Sequence, residues 1–295
     1  MSTKSFLNDI RNGETFENQD ARNLFFRKIA LYAGLYGAAL LFIIPYLWMI
    51  SRGFQPRWQL FAAEPYLIPR EITFQWYSFL FEGTPIIRWT INTIIIAGGA
   101  TLAVLLVDSM IAYSLTRLNW PGKRVVFSVI VASFMVPGIV NLIPVYQIIV
   151  ELGLLNSYLG VMLPVIAGPI GVFMLVQFFK DFPDEIEESA RIDGFSTFQI
   201  YTRLILPMMK SALTALGLFI FIWTWNAFLW PLILLQEESM YTLPIGLVVL
   251  QDTMTAQQPG LIMASALFAS LPLFIVFLLL QKQLVEAVQM QGTVG

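Results

Sequence analysis

The sequence contains no cysteine and no histidine among its 295 residues. Without cysteine the chain can form no disulfide and offers no thiolate ligand or nucleophile. Without histidine it lacks the commonest metal ligand and the commonest general base. Charged residues are also few, at 12%, where soluble domains usually have about 25%. We therefore expect no metal site, no catalytic residues and no ordinary soluble surface.

The main feature of the sequence is its long apolar runs. Hydrophobic residues make up 57% of the chain, and the mean hydropathy is +0.72. A membrane-spanning helix needs about 20 mostly apolar residues. Six runs meet this requirement: 29–50, 86–114, 124–147, 158–179, 211–235 and 261–281. The sequence therefore predicts an all-α, polytopic membrane protein with six transmembrane helices. With a net charge of −2, we expect contact with membrane lipid and no binding to nucleic acid.

Six spans place both termini on one side of the membrane, and the basic residues indicate which side. Thirteen Lys and Arg residues lie in the two tails and in the links 115–124 and 180–210, against four on the opposite side. Basic residues mark cytoplasmic segments. We therefore predict a cytoplasmic tail 1–28, a transmembrane domain 29–281 and a cytoplasmic tail 282–295. The tail 1–28 has no apolar core followed by a cleavage site, so we expect no cleaved signal peptide.

The segment 181–207 carries half of the charged residues in the second half of the chain. Its acids precede a helical pattern that Gly194 is expected to end, because glycine commonly follows the last turn of a helix. Ser196 and Gln199 then have the spacing of a capping box, which predicts the start of a second helix. A solvated loop would explain the charges but not two capped helices with apolar residues.

Residues 187–207, EESARIDGFSTFQIYTRLILP, resemble the cytoplasmic "EAA" loop of permease subunits of binding-protein-dependent ABC importers. Glu188, Ser189 and Ala190 correspond to the E-A-A triplet, with one small residue replacing another. Gly194 follows after three residues, and Leu206-Pro207 belongs to the closing apolar group. The segments 112–124, 135–164 and 221–235 resemble the second, six-span permease of maltose-type sugar importers.

The resemblance implies a prokaryotic cytoplasmic (inner) membrane protein that forms part of a sugar path. It also implies a second homologous permease, an ATP-binding subunit dimer and an extracytoplasmic solute-binding protein as partners. The chain has no G-x-x-x-x-G-K-[ST] phosphate loop, so ATP and Mg²⁺ are expected on the separate ATPase and no cofactor on this chain. The coupling loop 181–207 would contact that ATPase. Its predicted coupling residues are Glu185, Glu188, Ala190, Asp193, Gly194 and Pro207.

The predicted substrate path consists of Asn141, Tyr146, Trp225 and Asn226, because sugars bind well to aromatic faces and amide groups. The alternative is that these aromatic residues only pack in the bundle or anchor it at the membrane interface. Asp108 lies deep in a span, where a structural hydrogen bond to a neighbouring helix is the simpler explanation.

Other functions remain to be weighed. An ABC permease for a non-sugar solute, such as an amino acid or phosphate, would have the same coupling loop. An intramembrane enzyme is disfavoured because neither histidine nor cysteine is present. A non-transporting scaffold or receptor would not need the coupling loop.

Overall fold

The computed structural model describes residues 19–62, 64–180, 182–254 and 258–292, and all regular structure in these ranges is helical. The helices are α1 (Gln19–Gly53), α2 (Arg57–Leu60), α3 (Gln75–Gly83), α4 (Ile86–Arg117), α5 (Lys123–Ser133), α6 (Leu142–Glu151), α7 (Tyr158–Ile166), α8 (Ile170–Lys180), α9 (Asp184–Ile192), α10 (Thr197–Met208), α11 (Lys210–Trp225), α12 (Leu229–Leu234), α13 (Leu243–Met254) and α14 (Pro259–Gly292). The all-α prediction is confirmed.

Three spans are single helices, namely Leu24–Gly53 within α1, all of α4, and Pro259–Lys282 within α14. Three more arise if each strongly bent helix pair is one span. These pairs are α5 with Gly138–Glu151 at 98°, α7 with α8 at 43°, and α10 with α11 at 76°. Counted in this way, the described residues contain six spans, as predicted.

Proline and glycine explain where two of these spans bend. Pro137 and Gly138 lie in the break between α5 and α6, and Gly168 and Pro169 lie between α7 and α8. Proline removes a backbone donor and disfavours helix in the residue before it. Such breaks are tolerated in membranes where neighbouring helices satisfy the freed groups.

The predicted span 211–235 is not a continuous helix. α11 ends at Trp225, residues 226–228 leave the helical path, and only the short α12 follows. α10 instead continues towards α11 from the charged segment, through a widened, π-helical stretch at Ile200–Ile205. The fifth span therefore begins earlier and ends earlier than the apolar run suggested, because the turn at residues 226–228 interrupts it.

Parts of the predicted tails are helical. Residues 19–28 belong to α1, and residues 282–292 belong to α14, so both spans extend as helices beyond their apolar cores. Residues 1–18 and 293–295 of the predicted tails, and Asp181 at the start of the predicted coupling loop, lie outside the described residues.

The central helix is α4, which packs against α7, α8, α11 and α13. Ala97 and Ala100 are fully buried on its inner face, and small residues there let neighbouring membrane helices approach closely. At the end near its first residue, Asn92 donates to the carbonyls of Ser239 and Tyr241 (3.0 and 2.8 Å). The loop before α13 is thereby fixed to α4.

Hydrogen bonds between side chains and backbone hold the described part of the segment between α1 and α4 together. The Gln55 side chain donates to Ser51 Oγ (2.9 Å) and to the Tyr66 carbonyl (2.8 Å). Trp76 Nε1 in turn donates to the Gln55 carbonyl (2.8 Å). These buried bonds shape the surface at this end of the bundle.

Asp108 is a buried carboxylate, only 2% exposed, in the middle of α4. Its carboxylate lies against Gly171, in the first turn of α8. A carboxylate is favourable there because a helix N-terminus carries a partial positive charge and unpaired N–H groups. Gly171 makes this approach feasible, since an added Cβ would overlap Asp108 Oδ2. Asp108 therefore contacts the neighbouring helix, but its Oδ2 atom has no hydrogen-bond partner among the described residues, so the predicted hydrogen bond stays a prediction.

We expect Gly171→Ala to destabilise the protein, because the new methyl group must displace the Asp108 carboxylate from α8. Overpacking of this kind typically costs about 1–3 kcal/mol. Gly98→Ala is the matched control on α4, since nothing lies within 4 Å of its added Cβ. Thermal melting of the purified variants in one detergent measures the difference. Equal melting temperatures for the two variants would contradict this account of Asp108.

Candidate coupling surface and membrane cleft

The coupling segment, residues 182–208, is two short helices joined by a tight turn. α9 begins with acids at Asp184, Glu185 and Glu187, which the helix dipole favours at this end. At its other end, Gly194 N–H donates to the Arg191 carbonyl (3.1 Å) and Phe195 N–H to the Ala190 carbonyl (3.0 Å). These two bonds form a Schellman motif. Gly194 has φ 84°, a left-handed conformation that glycine adopts without strain.

α10 starts with the predicted capping box. Ser196 Oγ accepts from Gln199 N–H (3.3 Å), and Ser196 N–H donates to Gln199 Oε1 (2.8 Å). Each bond satisfies a backbone N–H group that has no partner within the first turn of the helix. The turn between the helices is therefore fixed on both sides, at Gly194 and at Ser196.

The inner face of the coupling segment packs on the chain's own bundle. Ala190, Ile200, Tyr201 and Ile205 are buried in one cluster with residues of α4, α8 and α11. Tyr201 Oη and Ser109 Oγ of α4 are hydrogen-bonded at 2.7 Å. The small side chain of Ala190 thus lets α9 pack closely on the helix bundle of this chain.

The outer face of the segment carries acids and two apolar side chains. Glu185, Glu188, Asp193 and Gly194 are all exposed. Ile192 is 86% exposed and Phe198 is 68% exposed, one on each side of the turn. Sequence reasoning did not single out Ile192, although an apolar residue two positions before the turn glycine was a visible signal. Together these residues present an apolar knob rimmed by carboxylates.

Pro207 lies away from this knob. It is exposed and lines a cleft of about 440 Å³ between α4, α11 and α14, together with Lys210 and Leu213. The structure thus divides the six predicted coupling residues among three places. Four are on the outer face, Ala190 is in the core, and Pro207 is where α10 turns into α11.

Arg117, the last residue of α4, joins the coupling segment to the membrane bundle. Its side chain is 7% exposed and forms ion pairs with Asp184 and Glu187 of α9, the second at 3.5 Å. It also donates to the carbonyls of Phe179, at the end of α8, and Phe182. One guanidinium therefore holds the ends of α4 and α8 and the start of α9 together.

Glu187 is the buried acid of this joint, at 6% exposure. Tyr113 Oη donates to its carboxylate at 3.4 Å. Burial raises the pKa of Glu187, and the positive charges of Arg117 and Arg191 lower it by less. Sequence reasoning missed Arg117, Tyr113 and Glu187 as a unit, because they come from positions about 70 residues apart in the chain.

We expect Arg117→Gln to destabilise the protein strongly, because Glu187 would remain buried without its partner. Breaking a buried ion pair from one side typically costs about 3–5 kcal/mol. Adding Glu187→Gln should restore much of the melting temperature, since a neutral amide is less costly to bury than an unpaired carboxylate. Arg191→Gln, at an exposed position of α9, is the control. If Arg117→Gln melted like the control, the joint would not be held by this pair.

A second feature is an open cleft where α11 ends. It has a volume of about 500 Å³ and is lined by Phe219, Ile222, Trp223, Asn226 and residues 227–230. Trp223 is 67% exposed, and its ring stacks on Phe219 at 6.1 Å between centroids. Asn226 Nδ2 donates to the Ile222 carbonyl (2.8 Å), which fixes the amide at the rim.

The predicted path residues do not come together in this cleft. Asn226 lines it, but Trp225 is 2% exposed and packs in the core beside Phe221. Asn141 is exposed just before α6, and Tyr146 packs half-buried against the cluster around Ile149. The aromatic residue that faces the cleft is Trp223. Within the described residues, no group of three acidic side chains could hold a metal ion.

Comparison with known proteins adds a family and a fold. The family described as "Binding-protein-dependent transport system inner membrane component" matches residues 104–289. The arabinooligosaccharides transport system permease protein AraQ of Bacillus subtilis is 33% identical over 91% of this chain and 96% of its own length. The lactose transport system permease protein LacG of Rhizobium radiobacter is 31% identical over 88% and 93%. The sn-glycerol-3-phosphate transport system permease protein UgpE of Brucella abortus is 31% identical over 69% and 73%.

Two solved structures share the fold. One is a bacterial ABC transporter involved in the import of the acidic polysaccharide alginate, with a TM-score of 0.78 at 22% identity over 90% of this chain and 98% of the other. The second is the alginate transporter in complex with a pentasaccharide-bound periplasmic protein, with a TM-score of 0.60 at 16% identity over 87% and 94%.

Proposed function

The chain belongs to the family of binding-protein-dependent transport system inner membrane components, and we propose that it is a permease subunit of an ATP-driven importer for a sugar or oligosaccharide. The observation that carries the proposal is the coupling segment, which exposes a docking knob and is tied to the central membrane helix by a buried ion pair. A surface of this kind suits the transfer of force from a soluble motor to membrane helices.

The motor would be an ATP-binding subunit dimer, with ATP and Mg²⁺ bound on that partner. Ile192 and Phe198 offer apolar anchors, and the surrounding carboxylates of Glu185, Glu188 and Asp193 suit basic residues of the partner. Buried apolar anchors with a charged rim are the usual anatomy of a specific interface. Closure of the dimer would displace α9, and Arg117 would pass the displacement to α4 and α8.

A second homologous permease is supported by α1. In the most apolar part of its membrane-spanning stretch, Leu24–Gly53, no residue is buried within this chain. Gly34 and Gly37 lie in that helix with no other atom within 4 Å of an added Cβ. Small residues let membrane helices pack closely, so a related subunit would cover this face.

We place α9 and both termini on the cytoplasmic side of the inner membrane, because the basic residues concentrate there. The opposite end, with the ordered segment between α1 and α4 and the loop fixed by Asn92, would then receive an extracytoplasmic solute-binding protein. Its rigidity supports such a role, since a preformed surface loses little conformational entropy on binding.

The cleft beside Trp223 is our candidate for this chain's share of the sugar path. Trp223 and Phe219 offer aromatic faces, and Asn226 offers an amide at the rim. Apolar walls with a few placed polar groups are typical of ligand sites. Relatives named for arabinooligosaccharides and lactose support a sugar. The relative named for sn-glycerol-3-phosphate favours a polar non-sugar solute as the second candidate.

The decisive experiment is reconstitution of the chain in liposomes with its partner permease, ATPase and binding protein. We expect sugar-loaded binding protein to stimulate ATP hydrolysis, and the panel of solutes should include sugars, amino acids and glycerol phosphate. Stimulation by a non-sugar alone would replace the sugar proposal with the second candidate. No stimulation by any solute, in a complex that assembles and binds ATP, would overturn the importer proposal.

The docking knob predicts a face-dependent pattern of cross-linking. Because the chain has no native cysteine, Glu188→Cys and Ile192→Cys can each be linked to the ATPase without background from other positions of this chain. Both side chains are exposed, so we expect efficient links. Ala190→Cys is the control on the same helix, since that position is buried against this chain. Equal linking from all three positions would contradict docking through this face.

The cleft predicts a selective loss of transport on Trp223→Ala. Stacking of a nucleic-acid base on an aromatic side chain is worth about 1–3 kcal/mol, roughly 5- to 150-fold in affinity, and we expect a loss of similar size for a sugar ring. Trp223→Phe should retain most uptake, and Phe274→Ala, another exposed aromatic residue outside the cleft, should leave uptake unchanged. Radiolabelled uptake measures all three variants. Normal uptake by Trp223→Ala would remove this cleft from the path.

A further inference from the structure

A cavity of about 380 Å³ lies where the ends of α4 and α8 meet the start of α5, beside the coupling segment. Four basic side chains line it together with several apolar side chains. The basic residues are Arg117, Lys123, Arg124 and Lys180, and Phe127 and Phe179 contribute to the walls. No role in docking or in the sugar path accounts for this combination.

Three of the four positive charges are without a carboxylate partner within the described residues. Arg117 is committed to Asp184 and Glu187. Lys123 Nζ donates only to the Leu118 carbonyl (2.8 Å) and to Asn119 Oδ1 (3.3 Å). Lys180 Nζ donates to Gln177 Oε1 (3.5 Å) and lies 5.5 Å from the centre of the Phe127 ring.

Arg124 is exposed and completes the group at the cavity rim. Asp184 is the one acidic residue that lines the cavity among the described residues, and its carboxylate already pairs with Arg117. The cavity therefore has an excess of positive charge that an anion would balance.

An apolar surface continues from the cavity along α5. No residue of α5 is buried, and Val125 and Val129 are 67% and 63% exposed. This helix is the first part of a candidate membrane span, so its exposed valines are available for contact with acyl chains. A soluble anion would use the charges but would gain nothing from this apolar surface.

We propose that the cavity binds the phosphate headgroup of an anionic phospholipid, with an acyl chain lying along α5. Basic pockets between membrane helices on the cytoplasmic side are suited to such headgroups, and the location agrees with the proposed orientation of the chain. The site is separate from the docking knob and from the Trp223 cleft. A bound headgroup would lie beside the Arg117–Asp184 pair and would brace the junction of α4, α5 and α8.

The test uses the full chain, purified in detergent and mixed with phosphatidylglycerol or with phosphatidylcholine of the same acyl chains. Retained lipid is counted by native mass spectrometry, and thermal melting is followed in parallel. We expect preferential retention of phosphatidylglycerol and a higher melting temperature in its presence. One basic residue near a membrane surface contributes about five-fold to anionic lipid binding, so Arg124→Gln with Lys180→Gln should weaken retention by about 25-fold.

The control is Arg203→Gln with Lys210→Gln, which removes the same charge from two exposed positions that do not line this cavity. It should retain phosphatidylglycerol as the native chain does. Equal loss in both double variants would mean non-specific attraction to positive charge and would overturn the site. Displacement of the lipid effect by inorganic phosphate, with no difference between the two lipids, would assign the cavity to a soluble anion and also overturn the proposal.

Discussion

The architecture depends on how the buried charge of Arg117 is compensated. A guanidinium at 7% exposure is tolerable only with acceptors around it, and those acceptors come from α8, from α9 and from the residues between them. Since the arginine is the last residue of α4, its bonds join the longest buried helix to the charged surface of the chain. A displacement of α9 must therefore either carry the end of α4 with it or break a buried ion pair.

The same helix is held at its other end. Asn92 donates to two carbonyls of the loop before α13, and Thr93 Oγ1 accepts from Leu243 N–H (2.7 Å). Between these clamps, α4 is an unbroken helix of 32 residues, which is about 48 Å long at 1.5 Å per residue. The neighbouring spans α5–α6, α7–α8 and α10–α11 all bend sharply. The bundle thus contains one continuous central helix and three bent helix pairs, and the bends are the points at which the spans can change direction.

Features that depend on nearby residues predicted much of the fold from the sequence. Apolar runs gave six spans, and glycine and capping-box spacing gave the two helices of the coupling segment, because these features depend on residues close together in the chain. The Arg117–Glu187 pair could not be predicted in this way. Arg117 lies in a link rich in basic residues, which by itself indicates only the cytoplasmic side of the membrane. No neighbouring residue shows that its side chain is buried in an ion pair. The break after Trp225 was also missed, because an apolar run continues through it and hydropathy does not register a change of direction.

The direction in which each residue faces on its helix explains the remaining errors. It also decides which residues belong to each candidate functional surface. Residues two apart on a helix point about 200° apart, so Trp223 and Trp225 must face nearly opposite sides. Trp225 is buried in the core, and Trp223 lines the cleft. Likewise Glu187 and Glu188 are neighbours in sequence, yet the first is buried against Arg117 and the second is exposed on the docking knob. Residue type alone predicted sugar contacts and docking acids, but the facing of each helix decides which tryptophan and which glutamate can perform those roles. In a chain with so few charges, one helical step separates the carboxylate that ties α9 to the membrane bundle from the carboxylate that a partner can reach.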